Sequence, residues 1–97
     1  MGILVQKFGG TSVASVEKMK KVCNIIENYR KKGNDLVIVV SAMGRKGDPY
    51  ATDTLINLCT NVNQKPKKRE LDLIMSCGEV ISGTILSSML EGRGIPS

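Results

Sequence analysis

The run Leu36-Val37-Ile38-Val39-Val40 sets the narrowest limits on how this chain of 97 residues can fold. Four of its five residues are β-branched, and none is polar, so the segment cannot alternate between a wet and a dry face. A strand of this kind is expected to be covered on both faces, as in a parallel sheet. Ile3-Leu4-Val5, closed by Phe8 and the pair Gly9-Gly10, reads as an earlier buried strand meeting a tight turn. Between the two the period changes. Val16, Met19, Cys23, Ile26 and Tyr29 or Arg30 recur at three and four, while Glu17, Lys20, Lys21, Asn24, Asn28 and Lys31 occupy the other face. Gly33 is the natural stop, with Lys31 and Lys32 where cations suit the helix dipole. Strand, helix, strand is a βαβ unit, whose crossover is right-handed in nearly all such units. Ser41-Ala42-Met43-Gly44 follows at the carboxyl end of the second strand, the edge where open α/β sheets bind ligands.

Downstream, Arg45 to Ala51 is a polar loop. Thr52-Asp53 opens a short helix filled by Leu55, Ile56, Leu58, Cys59 and Val62, and Gln64-Lys65-Pro66 breaks it. A longer helical stretch runs from about Lys67 to Glu91, with Leu71, Ile74, Met75, Ile81, Ile85, Met89 and Leu90 on its apolar side. Gly78 and Gly83 lie inside it, so a kink or break is predicted near Cys77-Gly78-Glu79. Gly92-Arg93-Gly94 ends it, and Ile95 stands where another strand would begin. Met19, Met75 and Met89 read as core or near-core filler, and Met43 belongs to a motif loop.

Composition narrows the function classes. With 41% apolar and 24% charged residues the chain is globular and has room for a single small domain. No uninterrupted apolar run approaches the roughly 20 residues of a membrane span, and no secretory or myristoylation signal is legible. Three widely spaced cysteines, Cys23, Cys59 and Cys77, read as small core residues in a reducing, cytoplasmic compartment. There is no histidine, which removes zinc-site patterns and Ser-His or Cys-His nucleophile pairs within this chain. Fourteen basic against nine acidic residues give a net charge of +5. The only aromatic residues are Phe8, Tyr29 and Tyr50, too few for base-stacking platforms. The basic balance therefore reads as suited to a polyphosphate ligand rather than to nucleic acid. The cluster Lys65, Lys67, Lys68 and Arg69 reads as a solvated face.

The chemistry-bearing segment is Lys7-Phe8-Gly9-Gly10-Thr11-Ser12, where a strand feeds a glycine pair and then a helix. Glycines let backbone N–H groups approach an anion, and a helix N-terminus adds a positive dipole end. Neither GxxxxGK[ST] nor GxGxxG is present. A glycine pair after a strand is by itself an ordinary turn; Lys7 before it and Thr11-Ser12 after it are what favour a phosphate cradle. Taken alone, Glu79 reads as an exposed helix glutamate and Ser41 equally as a turn cap.

Lys7 to Val13 (K-F-G-G-T-S-V) resembles the N-terminal signature of the aspartokinases, within the amino acid kinase superfamily. Val39 to Gly44 (V-V-S-A-M-G) resembles their second motif. Thr52-Asp53 with Leu55, and Ser76-Cys77-Gly78-Glu79, resemble the third and fourth. The resemblance implies that residues 1–97 are the N-terminal portion of a three-layer α/β/α amino acid kinase fold with a mostly parallel sheet. The domain would be incomplete, with a second half and regulatory ACT domains beyond it. It implies transfer of the ATP γ-phosphoryl group to the β-carboxylate of L-aspartate, with Mg2+ accompanying the nucleotide, in a cytoplasmic homo-oligomer with no nucleic-acid or membrane partner. By position, Lys7 would neutralise the transferring phosphoryl group. Gly9, Gly10, Thr11 and Ser12 would hold phosphate oxygens, and Ser41 and Gly44 would lie beside them. Thr52 and Glu79 would bind aspartate, Glu79 taking its ammonium group. The long loop before Thr52 leaves Thr54, two residues on, as the alternative threonine. No resident metal ligand is expected among these residues. A glutamate or uridylate kinase, or a nucleotide-binding module without catalysis, are the competing readings. The 97 residues alone are expected to be inactive.

Overall fold

The computed structural model describes residues 2–97. It is built from β1 (Ile3–Phe8), α1 (Val16–Lys31), β2 (Asp35–Val40), α2 (Thr52–Val62) and α3 (Lys68–Gly92). The two strands pair in parallel and in register, from Ile3 opposite Asp35 to Phe8 opposite Val40. The predicted βαβ unit is therefore present, and both strands leave the sheet at the same edge.

Local chemistry sets the helix bounds. Ser15 caps α1, its side chain accepting from the Lys18 N–H at 3.2 Å, a contact that contributes about 1 kcal/mol. Gly33, at φ +91°, ends the unit after Lys31, as its position in the sequence predicts. Met19, Val22, Cys23 and Ile26 of α1 pack with Val13, Met43, Leu86, Leu90 and Ile95 into the core. Each large side chain taken out of water there contributes about 1.5–3 kcal/mol. Phe8, Leu36, Ile38 and Val40 floor that core from the sheet.

The opposite sheet face departs from expectation. The burial of both strands alternates. Ile3 and Val5 are 75% and 62% exposed, and on the same face of β2 Val37, opposite Val5, and Val39, opposite Lys7, are 48% and 42% exposed. Within these residues β2 is covered on one face only. Its unbroken apolar run is the pattern of a strand covered on both faces, and the described residues cover one of them.

The expected break in α3 is absent: the helix runs unbroken for 25 residues. Gly78 serves close approach instead. A Cβ built on it would stand 2.6 Å from the Ala42 Cβ, in the stretch that leaves β2. Gly78, Ser82, Leu86 and Leu90 recur at four and are all buried, forming the row by which α3 docks. By length and composition α3 could also cross a membrane. Its sequence hides this from a count of uninterrupted apolar residues, because Glu79 and two glycines divide it. Here its buried row packs against β2 and α1, and most of its surface is exposed.

Helix α2 packs mainly on α3 and buries only Leu55. The α2–α3 arm stretches the molecule to 50 × 24 × 18 Å, with a radius of gyration of 15.5 Å, where a compact chain of this length would have roughly 12–13 Å. Two core assignments fail in the arm: Cys77 and Met75 are exposed, because they lie off the docking row. Cys23 is buried, and burial raises its thiol pKa; Arg93 nearby opposes that shift and Glu27 adds to it. The basic run Lys65, Lys67, Lys68 and Arg69 is exposed, as expected, and residues 95–97 form no strand.

Two predictions follow from the packing. Gly78→Ala forces Ala42 aside and should destabilise by about 1–3 kcal/mol. Gly83→Ala meets nothing nearer than the Val40 Cγ2 at 3.8 Å and should stabilise by up to about 1 kcal/mol through helix propensity. Opposite shifts of the thermal midpoint are the expected result, and equal shifts would refute the docking row. Separately, the 97-residue chain should self-associate at micromolar concentration through its open sheet face. Sedimentation that finds a sharply melting monomer would refute this.

Candidate functional site

The shared exit edge of the two strands is where the site residues meet. Beyond the strands the backbone ladder continues: the Ser41 N–H donates to the Phe8 carbonyl at 3.1 Å and the Gly44 N–H to the Gly10 carbonyl at 2.9 Å. The two βα loops are thereby stitched side by side. Gly10 is required at this seam, because a Cβ on it would lie 2.5 Å from the Gly44 carbonyl oxygen and 2.8 Å from that of Ala42. Gly44 sits at φ +86°, a left-handed conformation that favours glycine. Gly9 has open space around it and no such backbone demand.

Helix α3 closes the back of the site. Ser82, 0% exposed, donates from Oγ to the Ser41 carbonyl at 2.7 Å. That bond ties the end of β2 to the helix one turn after Glu79. Leaving the Ser41 carbonyl unpaired there would cost about 1–3 kcal/mol. In front, the loop from Arg45 to Ala51 is organised by Asp48. Its carboxylate accepts from the Arg45 N–H at 2.8 Å, its own N–H donates to the Arg45 carbonyl at 2.9 Å, and its carbonyl accepts from Thr54 Oγ1 at 2.5 Å.

The result is a cleft of about 280 Å³ lined by Gly10, Ser41, Ala42, Gly44, Arg45, Lys46, Ala51, Thr52, Asp53 and Glu79. Five sequence-predicted residues thus converge: Gly10, Ser41, Gly44, Thr52 and Glu79, drawn from four segments of chain. Of the two candidate threonines, Thr52 lines the cleft at the N-terminus of α2, and Thr54 spends its hydroxyl on the loop. Lys7, Gly9, Thr11 and Ser12 do not line it. Lys7 is exposed on the open sheet face, opposite Val39. Thr11 and Ser12 line a neighbouring depression with Lys18 and Lys21. Thr11 still reaches the cleft through Arg45, whose Nε donates to its Oγ1 at 2.7 Å.

Sequence reasoning missed Arg45, Lys46 and Asp53 as lining residues, and Asp48 and Ser82 as supports. The glycine-flanked stretch Gly44-Arg45-Lys46-Gly47-Asp48 was the available signal for the loop. Ser82 had one too, lying four residues after Gly78 on the same helix row. The cleft carries both signs of charge: Arg45 and Lys46 come from the loop, Asp53 and Glu79 from the helices. The N-terminus of α2 adds anion-binding capacity.

The stitched βα edge and its cleft lie at the carboxyl end of a parallel strand pair, the position where open α/β sheets bind ligands. The amino acid kinase family matches residues 2–97, and the chain belongs to that family. It is 47% identical over 94 residues to an aspartokinase of Geobacillus stearothermophilus and 48% identical over 95 residues to aspartokinase 1 of Bacillus subtilis. These matches span 97% and 98% of this chain but only 22% and 24% of those proteins. The crystal structure of aspartate kinase from Synechocystis superposes with a TM-score of 0.83 at 43% identity, covering 94% of this chain and 15% of that one. The fold is an amino acid kinase fold.

The glycine pair can be separated experimentally. Gly10→Ala should break the Gly44–Gly10 bond and lower the thermal midpoint. Gly9→Ala should leave the midpoint within about 1 °C, because its neighbourhood is open. A Gly10→Ala protein that melts normally would refute the stitched-loop description.

Proposed function

We propose that this chain is part of an aspartate kinase, an enzyme that transfers the γ-phosphoryl group of ATP to the β-carboxylate of L-aspartate. The observation that carries the reading is the two-signed cleft at the strand exits. Its glycine turns and cations suit polyphosphate, and its carboxylates suit an ammonium group. The names of the relatives supply the particular amino acid.

The chemistry fits these residues. Phosphoryl transfer is accelerated mainly by positioning and by stabilising charge on the transferred group. A substrate carboxylate is already ionised at neutral pH. Its oxygen attacks the γ-phosphorus directly, the bond to the β-phosphate oxygen breaks, and ADP leaves with that electron pair. No proton has to be removed from the nucleophile, so a chain without histidine is suited to the task.

In this reading the backbone of Gly9 and Gly10, with Thr11 and Ser12, holds phosphate oxygens, and Ser41 and Gly44 lie beside them. Lys7 offsets charge on the transferring group from the strand. Glu79 pairs with the aspartate ammonium group and Thr52 hydrogen-bonds the same substrate. Mg2+ is bound mainly by nucleotide phosphates in such enzymes. A cytoplasmic homo-oligomer without nucleic-acid or membrane partners completes the proposal. The 97 residues alone are inactive in it, since they form one wall of the site.

In the full-length protein, Glu79→Gln should raise the KM for aspartate at least tenfold and change that for ATP less than twofold, because a charge-assisted bond to the ammonium group is lost. Equal effects on both constants would refute the assignment. Lys7→Ala should lower kcat by two orders of magnitude or more, and near-normal turnover would remove Lys7 from the chemistry.

A further inference from the structure

Arg45 is tied down at three points. Its backbone N–H and carbonyl are both engaged by Asp48, and its Nε donates to Thr11 Oγ1 at 2.7 Å across 34 residues of sequence. That last bond spans the seam between the β1–α1 and β2–α2 loops, above the point where Gly10 and Gly44 meet. It fixes the plane of the guanidinium group. The two terminal nitrogens, four N–H donors, have no hydrogen-bond or carboxylate partner among the described residues. Among the described residues the two ion pairs lie elsewhere, at Lys20–Glu17 and Arg93–Glu27. Arg45 nevertheless lines the cleft.

Thr11 is changed by the same contact. Its oxygen accepts from a cation, and its proton remains available to donate. An arginine and a hydroxyl joined in this way present donors to one point from two loops. Planar, paired N–H donors match the oxygens of phosphate better than an ammonium group does. The cleft's carboxylates, Asp53 and Glu79, come from the helices, and neither pairs with Arg45.

Building on the nucleotide reading above, we propose that Arg45, held by Thr11, is a phosphate-binding residue of this site. It recognises the terminal phosphates of a nucleoside triphosphate from the β2–α2 loop. Thr11 then acts in two ways: it donates its hydroxyl proton to the same phosphates and it positions the arginine. Asp48 is a positioning residue that sets the turn from which Arg45 projects, between Gly44 at φ +86° and Gly47 at φ +98°.

The test uses the full-length protein, with ATP binding measured by calorimetry in the absence of amino acid and steady-state constants measured for both substrates. Arg45→Ala should weaken ATP binding and raise the KM for ATP at least tenfold, the usual scale for one charge-assisted contact. The KM for aspartate should stay within twofold. Arg45→Lys restores the charge without the planar fork and should fall between the two. Thr11→Val should give the same ATP-selective loss, and the double variant should be no worse than the poorer single one, because the two residues act as a unit. Unchanged ATP binding in Arg45→Ala would overturn the proposal. So would a parallel loss for both substrates with a lowered thermal midpoint, which marks a merely structural loop residue, or a loss confined to aspartate. The underlying reading fails separately: a wild-type protein that binds ATP through Arg45 but shows no aspartate-dependent turnover refutes the acceptor and leaves the phosphate contact standing.

Discussion

Everything functional in this chain depends on the parallel, in-register pairing of β1 and β2. Parallel strands present both carboxyl ends at one edge, whereas an antiparallel pair would send the Gly9-Gly10 turn and the Ser41–Gly44 segment to opposite ends of the sheet. In-register pairing then brings the two exits level. The Phe8–Ser41 and Gly10–Gly44 hydrogen bonds continue the ladder past the last strand residues. Two loops that must diverge to feed separate helices stay joined for several residues, and the cleft forms in the fork.

The third wall depends on how closely α3 approaches that fork. Its docking row is graded: Gly78 and Ser82 at the site end, Leu86 and Leu90 at the core end. The leucines anchor the helix to α1 and Val13 by burial. The small residues let the helix axis lie against Ala42, with only a buried hydroxyl between the helix and the Ser41 carbonyl. Glu79 follows Gly78 directly, so it stands beside the contact point and reaches the cleft although its backbone belongs to a core helix. A larger residue at position 78 or 82 would move the carboxylate and the loop apart together.

The front of the cleft is held differently. Helix α2 buries little and rests mainly on α3, and the Arg45–Ala51 loop has no apolar anchor except Ala51, which is buried. Order there comes from hydrogen bonds converging on Asp48 and from the Arg45–Thr11 bridge. Polar organisation of this kind yields more readily than packed leucines, because each bond is worth about 0.5–1.5 kcal/mol net. The rigid back wall and the lighter front wall suit a site that must admit and release a ligand.

Much of this was legible from residues. The period switch after Thr11-Ser12 marked α1, Gly33 marked its end, and the β-branched run marked β2. Glu79 and Thr52 were placed by motif resemblance, and both line the cleft. A glycine or an apolar run in sequence does not say what lies opposite. Gly78 looked like a kink or break in the helix and is a contact point, because Ala42 faces it from 36 positions away. Val37 and Val39 carry the pattern of a strand covered on both faces, and the described residues cover one of them. Local propensity and hydrophobic period, which act over a few residues, determined the elements, their order and the edge that would bind. Tertiary structure alone decided which donors meet there, because the bonds Arg45–Thr11 and Ser82–Ser41 join residues 34 and 41 positions apart, and no local interaction carries information over that distance.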